Sequence, residues 1–239
     1  MTQTCRPRSS AGVWLRQATA SVAHAFVESP KDLKRIFDLE LKDVMEVVAQ
    51  EVVIEINCAQ GVRPVRVLGR DAEINGQQVV ASLNQLYSKQ EKYVLLEVEI
   101  PGVTEGKTRE LVEVEVSYAN MSTQTTDTLT SKLSGRFSNN SELVEKEVNG
   151  DVMVAAVAQI SNERNRKAVA LRDAGRVEEA RQELLGNASY LSGNSKKYKS
   201  KQLKELQQIN DFTADNLDDV NWGRSRKDLR HQQNKLDNQ

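Results

Sequence analysis

The period of the hydrophobic residues changes from two to three or four near Ser141, and that change constrains the fold more than any other feature. From Gln50 to Phe137 apolar residues recur at every second position; from Ser141 onward they recur every three or four. A period of two places alternate side chains on one face of a strand, and a period near 3.6 makes one stripe on a helix. Strands gathered first and helices gathered after them predict an α+β protein with an antiparallel sheet.

Six strands are predicted, over residues 53–56, 65–68, 79–83, 93–100, 111–118 and 126–137. Gly61-Val62-Arg63-Pro64 and Pro101-Gly102 are turn signals, and Asn75-Gly76 is a hairpin signal. In the fifth strand the valines 112, 114 and 116 fall on one face, with Glu113, Glu115 and Ser117 on the other. Short strands at this spacing, each with one wet face, predict an antiparallel β-sandwich of about six strands over residues 50–139.

Residues 140–239 are predicted to form a helical hairpin or small bundle, with helices over 142–174, 176–191, 199–217 and 224–236. Gly175 is placed to end the first of these in a left-handed conformation. Leu203, Leu206, Ile209, Phe212 and Leu217 form the stripe of the third. The run from Ala170 to Ala180 resembles the turn of a tetratricopeptide repeat, but no second copy follows about 34 residues away, so no repeat array is expected. Upstream, Ser29-Pro30-Lys31-Asp32 is a helix start, and Leu33, Ile36, Phe37, Leu41, Val44, Met45 and Val48 extend an amphipathic helix to Ala49.

The residues needed for common chemistries are scarce. Of 239 residues only two are histidine and two cysteine. Cys5 and Cys58 cannot build a disulfide framework or a paired-cysteine zinc site, and His24 and His231 stand near opposite ends of the chain. There is no Gly-rich phosphate loop and no Gly-x-Ser-x-Gly nucleophile turn. Carboxylates sit on alternating strand positions and helix faces, as solvated residues do. The expectation is a non-enzyme with no cofactor and no metal; a hydrolase with an unrecognised carboxylate site is the alternative from another class.

Charge is uneven along a chain of net charge −1. Residues 1–27 carry Arg6, Arg8 and Arg16 and no acid, a composition that transit peptides share; a poorly ordered tail over residues 1–25 is the plainer expectation. No secretory signal and no apolar run of membrane-spanning length is read, so the chain as it stands is expected in the cytoplasm. Lys196, Lys197, Lys199, Lys201 and Lys204 form one basic cluster, which could dock on anionic lipid or nucleic acid; Asp211, Asp215, Asp218 and Asp219 follow closely and offset it. The sequons at Asn120, Asn139 and Asn187 would matter only along a eukaryotic secretory route.

Several ordered runs resemble a group of bacterial proteins with a von Willebrand factor A domain. They are Phe26 to Phe37, Val48-Ala49-Gln50, Val65 to Gly69, Leu83 to Ser88, Gln90 to Val98, Ala168 to Asp173 and Gly175 to Arg181. The resemblance covers residues 26–239 and is to the portion C-terminal to the A domain. It implies that residues 26–49 are the last strand and helix of an A domain, followed by the sandwich and the helical region. In that family an Asp-x-Ser-x-Ser loop holds a divalent cation that ligates a partner. No Asp in this chain has Ser two positions later, so metal-dependent adhesion does not carry over. The acid-free first 25 residues are what a shifted reading frame or a misplaced start would produce.

The resemblance implies a non-catalytic interaction or scaffold module, the accessory region of a von Willebrand A-type protein, with an unidentified protein partner. A helix without its parallel sheet leaves an apolar stripe to cover, so self-association through Leu33, Ile36, Phe37 and Leu41 is expected.

Overall fold

A computed structural model of the protein describes residues 10–13, 47–102 and 105–237. The strands are β1 (Ser10–Val13), β2 (Val47–Cys58), β3 (Arg63–Leu68), β4 (Glu73–Asn75), β5 (Gln78–Tyr87), β6 (Val94–Glu99), β7 (Thr108–Asn120) and β8 (Thr125–Arg136). The helices are α1 (Ser141–Lys146), α2 (Gly150–Asp173), α3 (Val177–Lys197), α4 (Lys201–Asp215) and α5 (Asp219–Asp237). No described helix is long and apolar enough to cross a membrane.

The strands form two antiparallel sheets: three strands in the order β1-β6-β3, and five in the order β4-β5-β2-β7-β8. Their facing sides enclose one core. Val52, Ile54 and Ile56 of β2, Val79, Ala81 and Leu83 of β5, and Val112, Val114 and Val116 of β7 meet Val94, Leu96 and Val98 of β6. The predicted sandwich is therefore present, with each of the six predicted strands in place.

The differences are local. Residues 47–49, expected as a helix end, open β2 and pair with Tyr87 and Leu86; the rest of the expected helix lies outside the described residues. Ser10–Val13, expected as tail, forms an edge strand on Val94–Glu97. The hairpin at Asn75-Gly76 is real, but its two loop residues are Gly76 and Gln77, because Asn75 pairs with Gln78 and only Gly76 has positive φ (+63°).

The outer face of the smaller sheet is divided: Arg63, Arg66, Glu97 and Glu99 form ion pairs that reach water, while the end carrying Leu68 and Leu95 is covered. β6 is buried on both faces over Val94-Leu95-Leu96, and Leu68 and Leu95 pack outward against Val152, Ala155 and Ala156 of α2. That is why Val94-Leu95-Leu96 is an unbroken apolar run. The expectation that each sheet keeps one wet face holds where these ion pairs lie and fails where α2 covers Leu68 and Leu95.

The helical region is a bundle with two further apolar clusters, one around Leu184, Leu217 and Leu229 and one around Leu191, Leu203 and Leu206. The first predicted helix is two helices. Asn149 accepts from the backbone N–H groups of Asp151 (3.1 Å) and Val152 (3.2 Å), so it caps a fresh start and breaks the run. Gly175 ends α2 as expected (φ +77°): Gly175 N–H donates to Arg172 O and Arg176 N–H to Leu171 O, the paired closure of a glycine stop. Asp218, read from sequence as offsetting the lysines, caps α5 by accepting from Val220 and Asn221 N–H, both at 3.0 Å.

Candidate site at the joint between sandwich and bundle

The loop after β3 and the helices α2 and α5 enclose a polar cleft of about 470 Å³, lined by Gly69, Arg70, Asp71 and Ser82 on the sandwich side and Glu163, Arg166 and Asp237 on the helical side. The loop is built on Gly69. Its φ is +76°, and a Cβ there would stand 2.4 Å from the side-chain amide carbon of Gln159. Only glycine both accepts that backbone and lets α2 approach so closely.

Most charges around the cleft are spent on one another. Asp237, at the end of α5, accepts from Arg166 at 2.5 and 2.6 Å and from Asn162 Nδ2 at 3.0 Å. Arg66 bridges the two parts, donating 2.8 Å to Glu97 of β6 and 2.8 Å to Glu163 of α2. The hydrogen bond to Glu97, helped by the charge of Glu163, raises the Arg66 pKa against the opposing effect of burial. Arg70 Nε donates 2.7 Å to the carbonyl of Tyr93; burial lowers the Arg70 pKa, and Tyr93 and Asp237 counter that. Lys92 donates to Gln85 O at 2.9 Å, and burial followed by the Arg70 charge lowers its pKa.

Beneath the cleft, Gln159 Nε2 donates to Leu236 O (2.8 Å) and reaches the Tyr93 hydroxyl (3.4 Å). Gln159 thus ties α2 to the last turn of α5 and to the sandwich. Its Oε1, like Asn162 Oδ1, is buried without a protein partner. Ser82 is the only hydroxyl-bearing residue lining the cleft, and no imidazole or thiol lines it. Among the described residues no three His, Cys, Asp or Glu converge as a metal-ligand group.

The sequence-predicted residues lie elsewhere. Lys196 and Lys197 close α3, Lys199 sits in the left-handed region (φ +50°), and Lys201 and Lys204 open α4, so the five lysines do form one exposed corner. Lys197 reaches Glu145 at 2.5 Å, and Lys201 lies 3.6 Å from Glu205. Leu33, Ile36, Phe37 and Leu41 lie outside the described residues, as do Cys5 and His24. Cys58 is a free thiol in the sandwich core, and burial raises its pKa. His231 is exposed on α5, beside a groove of about 490 Å³ shared with Phe212 of α4. Phe212, expected in the core stripe, is 56% exposed.

One polar constellation escaped the sequence reading. Asn187 Nδ2 lies within hydrogen-bond reach of Asn165 Oδ1 (2.9 Å), Ser161 O and Oγ (3.0 Å each) and Asn210 Oδ1 (3.2 Å), all buried between α2, α3 and α4. The signal was present: Asn187 lies three and four residues from Leu184 and Leu191, on their stripe. A buried amide layer fixes helix register, since any slip strands it among leucines. It also removes Asn187 from any glycosylation, because the residue is fully buried.

No protein-family model matches the sequence, and no curated protein matches it either. Solved structures do match the fold. One is a von Willebrand factor type A protein from Catenulispora acidiphila, at TM-score 0.53 and 13% identity over 77% of this chain. Another is the human COPII-coat protein Sec24c, at TM-score 0.51 and 16% identity over 86% of this chain. A third is the ArnB paralog VWA2 from Sulfolobus acidocaldarius, at TM-score 0.45 and 13% identity over 80% of this chain. The chain spans 44%, 27% and 41% of those three proteins in the same order. What it is similar to, in fold, is therefore less than half of a larger protein of von Willebrand A or coat type.

Proposed function

We propose that the chain is a non-catalytic interaction module, the accessory region that follows the A domain in a von Willebrand A-type protein. The observation that carries this reading is the cleft at the joint. Of the groups lining it, Glu163 is held by Arg66, an ion pair that joins α2 to β3 of the sandwich, and Asp237 by Arg166, a pair that joins α5 to α2 within the bundle. Groups engaged that way position two parts of a scaffold, whereas a hydrolase needs a carboxylate or nucleophile aimed at substrate. The fold likeness to the Catenulispora protein supports the von Willebrand A-type reading. All described strand pairs are antiparallel, unlike the doubly wound parallel sheet of an A domain.

The test is direct binding. Proteins recovered from the host on the purified full chain are themselves purified and titrated against it by calorimetry. A saturable complex tighter than about 100 µM, unchanged when Ser82 and Asp71 become Ala, supports the module reading. Hydrolysis of ester, glycoside or phosphoester substrates that is lost in either variant overturns it.

A further inference from the structure

The four edges of the two sheets are not treated alike. Exposed edges template pairing with other chains, and proteins blunt them by shortness, proline, bulges or free charge. β4 is three residues long and β1 four. β3 carries Pro64 and an irregularity between Pro64 and Arg66. β8 lacks shortness, proline and bulge alike. It runs for twelve residues without proline or a bulge of its own and lies mostly exposed. The two charges within its length, Asp127 and Lys132, are engaged inside the chain, and Arg136 stands at its end. Lys132 is held by Glu113 (3.3 Å) and Glu110 (3.5 Å) of β7. Asp127 accepts from Asn120 (2.7 Å) and Thr125 (2.8 Å).

We infer that β8 is a docking edge for a second copy of this chain, which adds its own β8 antiparallel to form one continuous ten-stranded sheet. This rests on the reading of the chain as an interaction module. The occupant follows from the side chains. One face of β8 carries Asp127, Leu129, Ser131 and Leu133; the other carries Thr126, Thr128, Thr130, Lys132 and Ser134. A two-fold axis normal to the sheet keeps faces matched, so it must pass through a residue. Through Leu129 it places Leu129 against Leu129, Thr128 against Thr130, Asp127 against Ser131 and Lys132 against Thr126. No like charges oppose, and Leu129, 45% exposed in one copy, is covered by its twin. Through Thr130 the axis would set Asp127 against Leu133. Through Ser131 it would bring the two Lys132 side chains to diagonal positions about 7–8 Å apart. The strand is self-complementary in one register.

The test uses the full chain with Cys5→Ser, leaving buried Cys58. Sedimentation over about 1–200 µM should show a monomer–dimer equilibrium. Leu129→Lys, which sets two lysines face to face at the axis, should weaken dimerisation at least about tenfold, while Phe37→Asp and the β3-edge variant Val65→Lys should leave it unchanged. Leu129→Cys should cross-link into a disulfide dimer, and Thr126→Cys should not, because it faces position 132. Leu129 is exposed, so unfolding is not at issue, and circular dichroism checks it. A monomer at every concentration, or equal cross-linking at 126 and 129, overturns the inference. A monomer that still binds its heterologous partner sinks the dimer alone and leaves the module reading intact.

Discussion

Gly69→Ala should be among the most damaging single-methyl additions in this protein. Two costs add at this position. Alanine in the left-handed region, at φ +76°, costs about 1–2 kcal/mol. The new Cβ would also stand 2.4 Å from the Gln159 amide carbon, so Gln159 must move. It cannot move without losing its 2.8 Å bond to Leu236 O, and it is buried with one polar atom already unpartnered. A buried amide left without its partner costs about 1–3 kcal/mol. The expected loss is therefore about 2–5 kcal/mol, a large share of a typical stability of about 5–15 kcal/mol. Gly76→Ala supplies the control. Its φ is +63° and nothing lies within 4 Å, so only the backbone cost applies. Urea unfolding followed by circular dichroism and by Trp222 fluorescence measures both variants. In a Gln159→Ala background the Gly69→Ala cost should fall by about 1–3 kcal/mol, the coupling of residues in contact. If Gly69→Ala costs no more than Gly76→Ala, or the coupling is zero, the close approach of α2 to the β3 loop is not what requires this glycine.

Arg172 is buried, donates 2.6 Å to Leu217 O and 2.6 Å to Asp219, and lies 5.4 Å from the centre of the Trp222 ring. Arg172→Ala should cost about 2–4 kcal/mol and shift Trp222 emission, and Arg172→Lys should not restore either, since a lysine lacks the planar fork. Burial holds the Tyr93 phenol above its ordinary 10.0, so the folded chain keeps a proton that the unfolded chain releases first. That stabilisation is complete below pH 10 and is lost as pH rises through the folded value; Tyr93→Phe should flatten the alkaline loss, and an unchanged pH profile would refute the assignment. Cys58 sits in the sandwich core with its pKa raised. In a Cys5→Ser background a thiol reagent should label the native chain at least about a hundredfold more slowly than the urea-unfolded chain, and equal rates would place Cys58 outside the core.

Element type was legible because it is local. A period of two or of three to four, an Asn75-Gly76 turn and a Gly175 stop each act within a few residues, and strands and helices stand where those signals put them. Boundaries slipped where a short-range competitor was overlooked. Asn149 capped a new helix inside an unbroken apolar period, and Asp218 started α5 at Asp219, ahead of the expected residue 224. The candidate site was not legible at all. Arg66, Glu163, Arg166 and Asp237 are spread over some 170 positions, and no spacing in the sequence marks them as neighbours.

By itself the sequence determined that strands come first and helices second, which residues of each share a face, and that no familiar catalytic or metal motif is spelled out. Only the tertiary structure decided what covers each face. The unbroken run Val94-Leu95-Leu96 says that Leu95 needs burial as its neighbours do, but it does not say that α2 buries it together with Leu68. A helical stripe shows Asn187 among leucines, but the amide oxygens that its Nδ2 meets come from two other helices. The same holds for β8: its pattern is that of any half-buried strand. Its place at the end of the five-stranded sheet, with no strand beyond it among the described residues, is what leaves a long edge open. Periodicity is set by the backbone geometry of one segment, whereas partners are chosen by packing between segments far apart in the chain.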